Sequence, residues 1–181
     1  MTELTITVHG TPAPQGSKRH VGNGVMIESS QAVKPWREAV KWAAMDAASR
    51  SVACVVPYVG PVRVQAIFKF PRPKSHYRTG RNAHLLRDDA PEYKASKPDI
   101  EKLERSTFDA LTDAGVWRDD AQVVETHSTK VYSDTPGAHL IIEEVAQKSP
   151  QPTSDPRERL APRPLSDDDE PNGWEKRGQA S

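Results

Sequence analysis

A single cysteine, Cys54, excludes an intrachain disulfide framework and any zinc site built on clustered thiolates. No charge sign is in excess: 25 Lys+Arg meet 25 Asp+Glu, so bulk charge names no partner. Long apolar runs are missing too. The longest uncharged one, Val52 to Gly60 with Pro57 inside it, falls far short of the roughly 20 residues of a membrane span. No basic-then-apolar leader opens the sequence, which argues against secretion and for a cytoplasmic protein. Apolar residues make up only 35% of the 181 positions and the mean hydropathy is -0.72, polar for a packed globule. The cause is local, because residues 147–181 hold six prolines, thirteen charged residues and five apolar ones. Such a stretch buries too little surface to offset its ordering entropy. A folded domain over 1–146 and a disordered, Pro- and charge-rich tail over 147–181 are therefore expected.

Within the domain, Leu4, Ile6 and Val8 alternate with polar residues and predict a half-buried strand. The following Pro/Gly-punctuated loop ends in Lys18-Arg19-His20. It is not a nucleotide-binding P-loop, since Gly16 is followed by Ser17 rather than Lys and no helical pattern comes next. A helix is predicted from about Val33 to Ser49, with Pro35 in its first turn and Trp36, Val40, Ala43, Ala44 and Ala47 as its buried stripe. Val62, Val64, Ala66, Phe68 and Phe70 alternate as a second strand that Pro71 and Pro73 end. A second helix follows Pro98, places Ile100, Leu103, Thr107, Ala110, Leu111 and Ala114 on one side, and stops at Gly115. Two further strands, Gln122 to Tyr132 and Ala138 to Val145, flank a turn at Asp134–Gly137 and read as a hairpin. The order predicts an α+β domain: a small mixed sheet packed by two main helices.

Charge is not evenly spread. From Gly60 to Arg87 the chain carries Arg63, Lys69, Arg72, Lys74, Arg78, Arg81 and Arg87, with no acid and with His76, Tyr77 and His84 between them. A solvated loop is the plain explanation, but a run this long and one-signed favours contact with a polyanion.

Carboxylates bracket the second helix: Asp99 and Glu101 at its start, Asp119 and Asp120 after its end. Each pair has a structural explanation, as a cap after Ser96-Lys97-Pro98 or as a turn dipeptide. If the chain reverses after the helix, however, the two clusters can converge. Hard divalent cations are commonly held by one or two carboxylates plus substrate phosphates, the arrangement that metal-dependent phosphodiester hydrolysis uses. An extended backbone over 97–101 puts Asp99 and Glu101 on one side, whereas a helix starting at Lys97 separates them. Trp36, Phe108 and Trp117 are read as packing, and the histidines show no metal-ligand spacing.

The run Lys97-Pro98-Asp99-Ile100-Glu101-Lys102-Leu103-Glu104-Arg105, then Phe108-Asp109-Ala110-Leu111, then Trp117-Arg118-Asp119-Asp120-Ala121-Gln122-Val123 resembles the RusA-type Holliday junction resolvases, widespread in bacteriophages and prophages. The resemblance is strong over 97–124 and looser at the opening strand and at Pro71 to His76. It implies a homodimeric, Mg²⁺-dependent (alternatively Mn²⁺-dependent) endonuclease that cuts four-way DNA junctions at symmetric positions. By position it implies Asp99, Glu101 and Asp120 as metal-binding catalytic carboxylates, Glu101 standing where the family usually has Asp. Arg105 stands where a catalytic Lys is expected, and its guanidinium stays protonated. Asp109 lies four residues beyond Arg105 and could pair with it on the helix face. Lys102 and Asp119 are assigned supporting or turn-forming roles. Lys18, Arg19, Arg72, Lys74, His76, Arg78, Arg81, Arg87 and Lys97 are the expected DNA contacts. A flap or fork nuclease, or a nucleic-acid-binding protein with a decayed site, would carry the same acids and arm. A plain interaction module, with the acids as caps and turns, is the remaining alternative.

Overall fold

Alternation of apolar and polar residues builds a sheet with one greasy face. Strand β1 (Glu3–His9) buries Leu4, Ile6 and Val8, and β4 (Val62–Pro71) buries Val62, Val64, Ala66, Phe68 and Phe70. The computed structural model describes residues 3–16, 18–20, 26–28, 31–51 and 56–146, with backbone alone for 18–20 and 26–28. Residues 1–147 form one compact unit. The remaining segment, with the disorder expected of it, lies outside the described residues.

Four strands form a mixed sheet in the order β1-β6-β4-β5, where β5 is Val123–Ser133 and β6 is Gly137–Glu144. Strand β6 is antiparallel to both neighbours, and β4 runs parallel to β5. The α+β class holds, but the expected hairpin does not form. The turn after β5 steps over the end of β4, and β6 pairs on the far side, between β4 and β1. A turn signal marks a reversal without naming the neighbour, and β4, apolar at every second residue, takes the central place. Gly137 sits where β6 crosses β1 most closely: a Cβ there would come within 2.1 Å of the Val8 carbonyl oxygen. The cationic end of the opening loop is also not loop. Lys18–His20 is strand β2, paired antiparallel with β3 (Met26–Glu28).

Helix α1 (Val33–Arg50) packs against β1, and α2 (Ile100–Asp113) packs against α1 and β5. The helices meet through the buried Trp36 Nε1, which donates to Thr107 Oγ1 at 3.2 Å. Outside the core, Arg37 joins them by bonding Asp113 at 2.7 Å and Asp109 at 3.4 Å. Gly115, at φ +74, ends α2 as foreseen: its N–H bonds Thr112 O at 3.0 Å, and Val116 N–H bonds Leu111 O at 3.1 Å. The opening loop is tied to α2 by Ser106 Oγ on Ala13 O (2.7 Å) and Gln15 N–H on Lys102 O (2.8 Å). Among the described residues no helix is long and apolar enough to cross a membrane.

Candidate active site

The segment between β4 and α2 delivers the first carboxylate. Asp99 is the N-cap residue of α2, with extended backbone angles (φ -69, ψ 141), and its carbonyl accepts from Leu103 N–H. Its side chain makes no capping hydrogen bond, so the cap explanation fails for Asp99. The carboxylate instead lies 3.2 Å from Lys102 Nζ, both groups about half exposed. Glu101 stands exposed in the helix's first turn. The helix thus begins at Ile100, between the two geometries considered: Asp99 is extended and Glu101 helical.

The second cluster sits on a single 3-10 turn, Asp120–Gln122, which packs against α2. Asp119 is committed to that turn. Its Oδ1 accepts from Ala121 N–H at 2.8 Å, and Gln122 Oε1 accepts from Arg118 N–H and Asp119 N–H at 2.9 and 3.3 Å. Gln122 Nε2 in turn donates to the Tyr58 and Gly60 carbonyls, each at 3.0 Å, which moors the turn to the body. Asp120 is left exposed on this rigid support. Trp117, three residues before Asp120, is buried core: its Nε1 bonds Thr112 Oγ1 at 2.8 Å and Phe108 packs edge-on at 5.8 Å.

From that turn β5 runs back along α2 towards the helix start. Thr126 Oγ1 bonds Glu104 Oε1 at 3.0 Å, and further on Lys130 Nζ bonds the carbonyls of Ser96 and Pro98 at 3.0 and 2.7 Å. The strand that returns to the helix start therefore brings Lys130 there. Among the described residues no three His, Cys, Asp or Glu side chains are grouped to hold one ion, so Asp99, Glu101 and Asp120 do not form a three-acid cage in this arrangement. The donor chemistry still suits a hard divalent cation, because these acids offer only oxygen and stand open to solvent. Mg²⁺ needs no more than one or two carboxylates when phosphate oxygens and water complete its shell.

Arg105 is exposed and makes no salt bridge among the described residues. Its candidate partner Asp109 is taken by Arg37 of α1, so Arg105 does not serve as that helix-face ion pair.

The basic arm is less positive than its sequence suggests. Arg78 pairs with Asp88 at 2.6 Å and Arg87 with Asp89 at 2.8 Å, two acids lying just past the acid-free run. The Arg87 hydrogen bond holds the Asp89 carboxyl below its ordinary range and Asp89 raises Arg87 in return. Arg72 donates to Pro91 O at 3.0 Å and lies over the Tyr132 ring. His76 packs edge-on against the same ring at 4.6 Å, with its Nδ1 buried and unpartnered. Lys74, Arg81 and Lys97 are exposed cations without salt-bridge partners among the described residues. The side chains of Lys18 and Arg19 lie outside the described set.

Two residues were missed on sequence. Glu104 sits inside the acidic motif yet turns to β5. Lys130 gave no local signal, since only the parallel register places it beside Phe68 on the face that β4 fills with Val64, Ala66, Phe68 and Phe70.

A relative in Bacillus subtilis (strain 168), the uncharacterized protein YqaN, is 27% identical over 149 residues, covering 79% of this chain and 97% of its own. Residues 9–143, a span that includes both acidic clusters and the arm, match the family model described as Endodeoxyribonuclease RusA. With β4, the arm, α2 and the Asp120 turn all inside that match, the chain belongs to the RusA endodeoxyribonuclease family.

Proposed function

We propose that the protein resolves four-way DNA junctions by symmetric, Mg²⁺-dependent phosphodiester hydrolysis, acting as a homodimer in the bacterial cytoplasm. The observation that carries the reading is Asp99: it starts α2 with its backbone alone and keeps its carboxylate exposed, with Glu101 and Arg105, which has no salt-bridge partner among the described residues, on the same helix. Asp99, Glu101 and Asp120 would hold the cation, in pairs and together with phosphate oxygens. When bound, such a cation neutralises phosphate charge and acidifies the attacking water. Arg105 stabilises charge developing on the phosphate as a fixed, always-protonated donor. Lys74, Arg81 and Lys97 track the backbone, which makes binding salt-dependent. A two-fold dimer presents two such sites, as paired cuts in a junction require.

The test is incubation with a synthetic four-way junction, a flap, a fork and a linear duplex, each with and without Mg²⁺. Symmetric nicking of the junction alone is the expected result. Equal cutting of flap and fork would replace the proposal with a broader branched-DNA nuclease, and binding without cleavage under Mg²⁺ and Mn²⁺ would remove the catalytic reading.

A further inference from the structure

We infer that Lys130 is a positioning residue for Asp99, acting through the segment that enters α2; the inference rests on the nuclease reading above. Lys130 stands beside Phe68 in the β4–β5 register, on the sheet face that α2 covers. A lysine there has its stem along apolar surface and its ammonium near the helix start. Two of its three donors are spent on main-chain oxygens, Ser96 O at 3.0 Å and Pro98 O at 2.7 Å. The second belongs to the residue immediately before Asp99. No carboxylate among the described residues forms a salt bridge with it, so its contacts hold backbone rather than neutralise charge.

The same residue grips the segment from its other end. Its carbonyl accepts from Lys94 N–H at 3.0 Å, and Tyr132 N–H donates to Glu92 O at 2.9 Å. Residues 92–94 thus lie along the outer edge of β5, with a bridge between Tyr93 and Val131. Residues 96–98 form a bend with no such ladder, and the carbonyls of Ser96 and Pro98 are met by Lys130 Nζ. Charged hydrogen bonds of this kind are the stronger class. Asp99 therefore takes its backbone position in part from a strand residue 31 places later, whose two bonds hold the segment that leads into it.

The test compares Lys130→Met, which keeps the stem and loses the donors, with Lys130→Arg, which keeps charge and donors. Three readouts are taken: kcat on a four-way junction, Kd for the same junction without divalent cation, and amide hydrogen exchange at Leu103, whose N–H is bonded to the Asp99 carbonyl. For Lys130→Met we expect kcat to fall about ten- to hundred-fold, Kd to stay within about threefold, and exchange to quicken about tenfold at Leu103 but not in α1. Lys130→Arg should recover at least about a third of kcat. Unchanged kcat in Lys130→Met overturns the inference, as does a parallel loss of kcat, junction affinity and exchange protection across both helices that Lys130→Arg does not rescue. If Lys130→Met does not fold, Lys130→Arg alone decides, because a positioning role demands the recovered kcat. Should the wild type cut no branched DNA, the nuclease reading fails by itself; unchanged exchange at Leu103 in Lys130→Met would then also dismiss the clamp.

Discussion

If Asp99 binds a divalent cation, Lys102 competes with that cation, and replacing it should make the metal bind more tightly. The ammonium lies 3.2 Å from Asp99 Oδ2, with the side chains 47% and 50% exposed. Coulomb's law in bulk water gives about 1.3 kcal/mol at that distance. Side-chain entropy and salt reduce an exposed pair to a net value of about 0.2–1 kcal/mol. A cation approaching Asp99 must displace this interaction, so Lys102→Met should lower the half-saturating Mg²⁺ concentration by about 1.4- to 5-fold. The assay is initial cleavage rate against Mg²⁺ concentration with the junction saturating, so that any loss of DNA affinity is kept out of the reading. Raising ionic strength from about 0.05 to 0.15 M should shrink the difference, because the pair is open to counterions. A midpoint that rises twofold or more in Lys102→Met refutes the reasoning and makes Lys102 a supporting charge rather than a competitor.

Asp120→Asn should cut cleavage more than about 100-fold, while junction binding without divalent cation stays unchanged or tightens, since a repulsive charge near phosphate is gone; near-normal cleavage by this variant would take Asp120 out of the mechanism. Thr107→Val leaves the buried Trp36 indole N–H without its acceptor, at a cost of about 1–3 kcal/mol and a Tm lower by roughly 3–10 °C. Adding Trp36→Phe should recover part of that loss, and strict additivity in the double-mutant cycle would show that the bond is not coupled. The Asp89 carboxyl, depressed by its hydrogen bond to Arg87, contributes arm stability above the unfolded aspartate pKa. That contribution is lost as pH falls through the lower folded value. The carboxyl carbon's chemical shift should accordingly titrate below the ordinary aspartate range, and in Arg87→Ala it should return to that range.

The elements legible in the sequence were those with a single strong period. Helix α2 shows its apolar stripe, its Pro98 entry and its Gly115 exit, and it forms over Ile100–Asp113 as those signals require. Strand β4 alternates without a break and occupies Val62–Pro71. Pairing was not legible, because strand-forming composition in β5 and β6 marks extended chain and says nothing of which strand lies next door. The β2–β3 ribbon escaped for a related reason, since three-residue strands carry no period. At the site, the acidic positions could be named from their motif, but their neighbours could not. Asp109 lies at helix-pair spacing, four residues beyond Arg105, yet Arg37 on α1 offers it a partner from another element. The arm's charge was overestimated because Asp88 and Asp89 lie just beyond the acid-free run and fold back on Arg78 and Arg87. Lys130 was invisible because its role depends on a parallel register that no local pattern encodes.

The strand order also imposes a timetable on synthesis. Glu3, at the start of the domain, pairs with Glu143, near its end, and both β1 and β4 wait for β6 as their shared neighbour. While the chain emerges, the apolar faces of the early strands have no permanent partner, and such distant pairing closes slowly. A chain ending before β6 would leave β1 and β4 with unfinished edges open to other chains, so truncation upstream of Gly137 should yield aggregates rather than a smaller working enzyme.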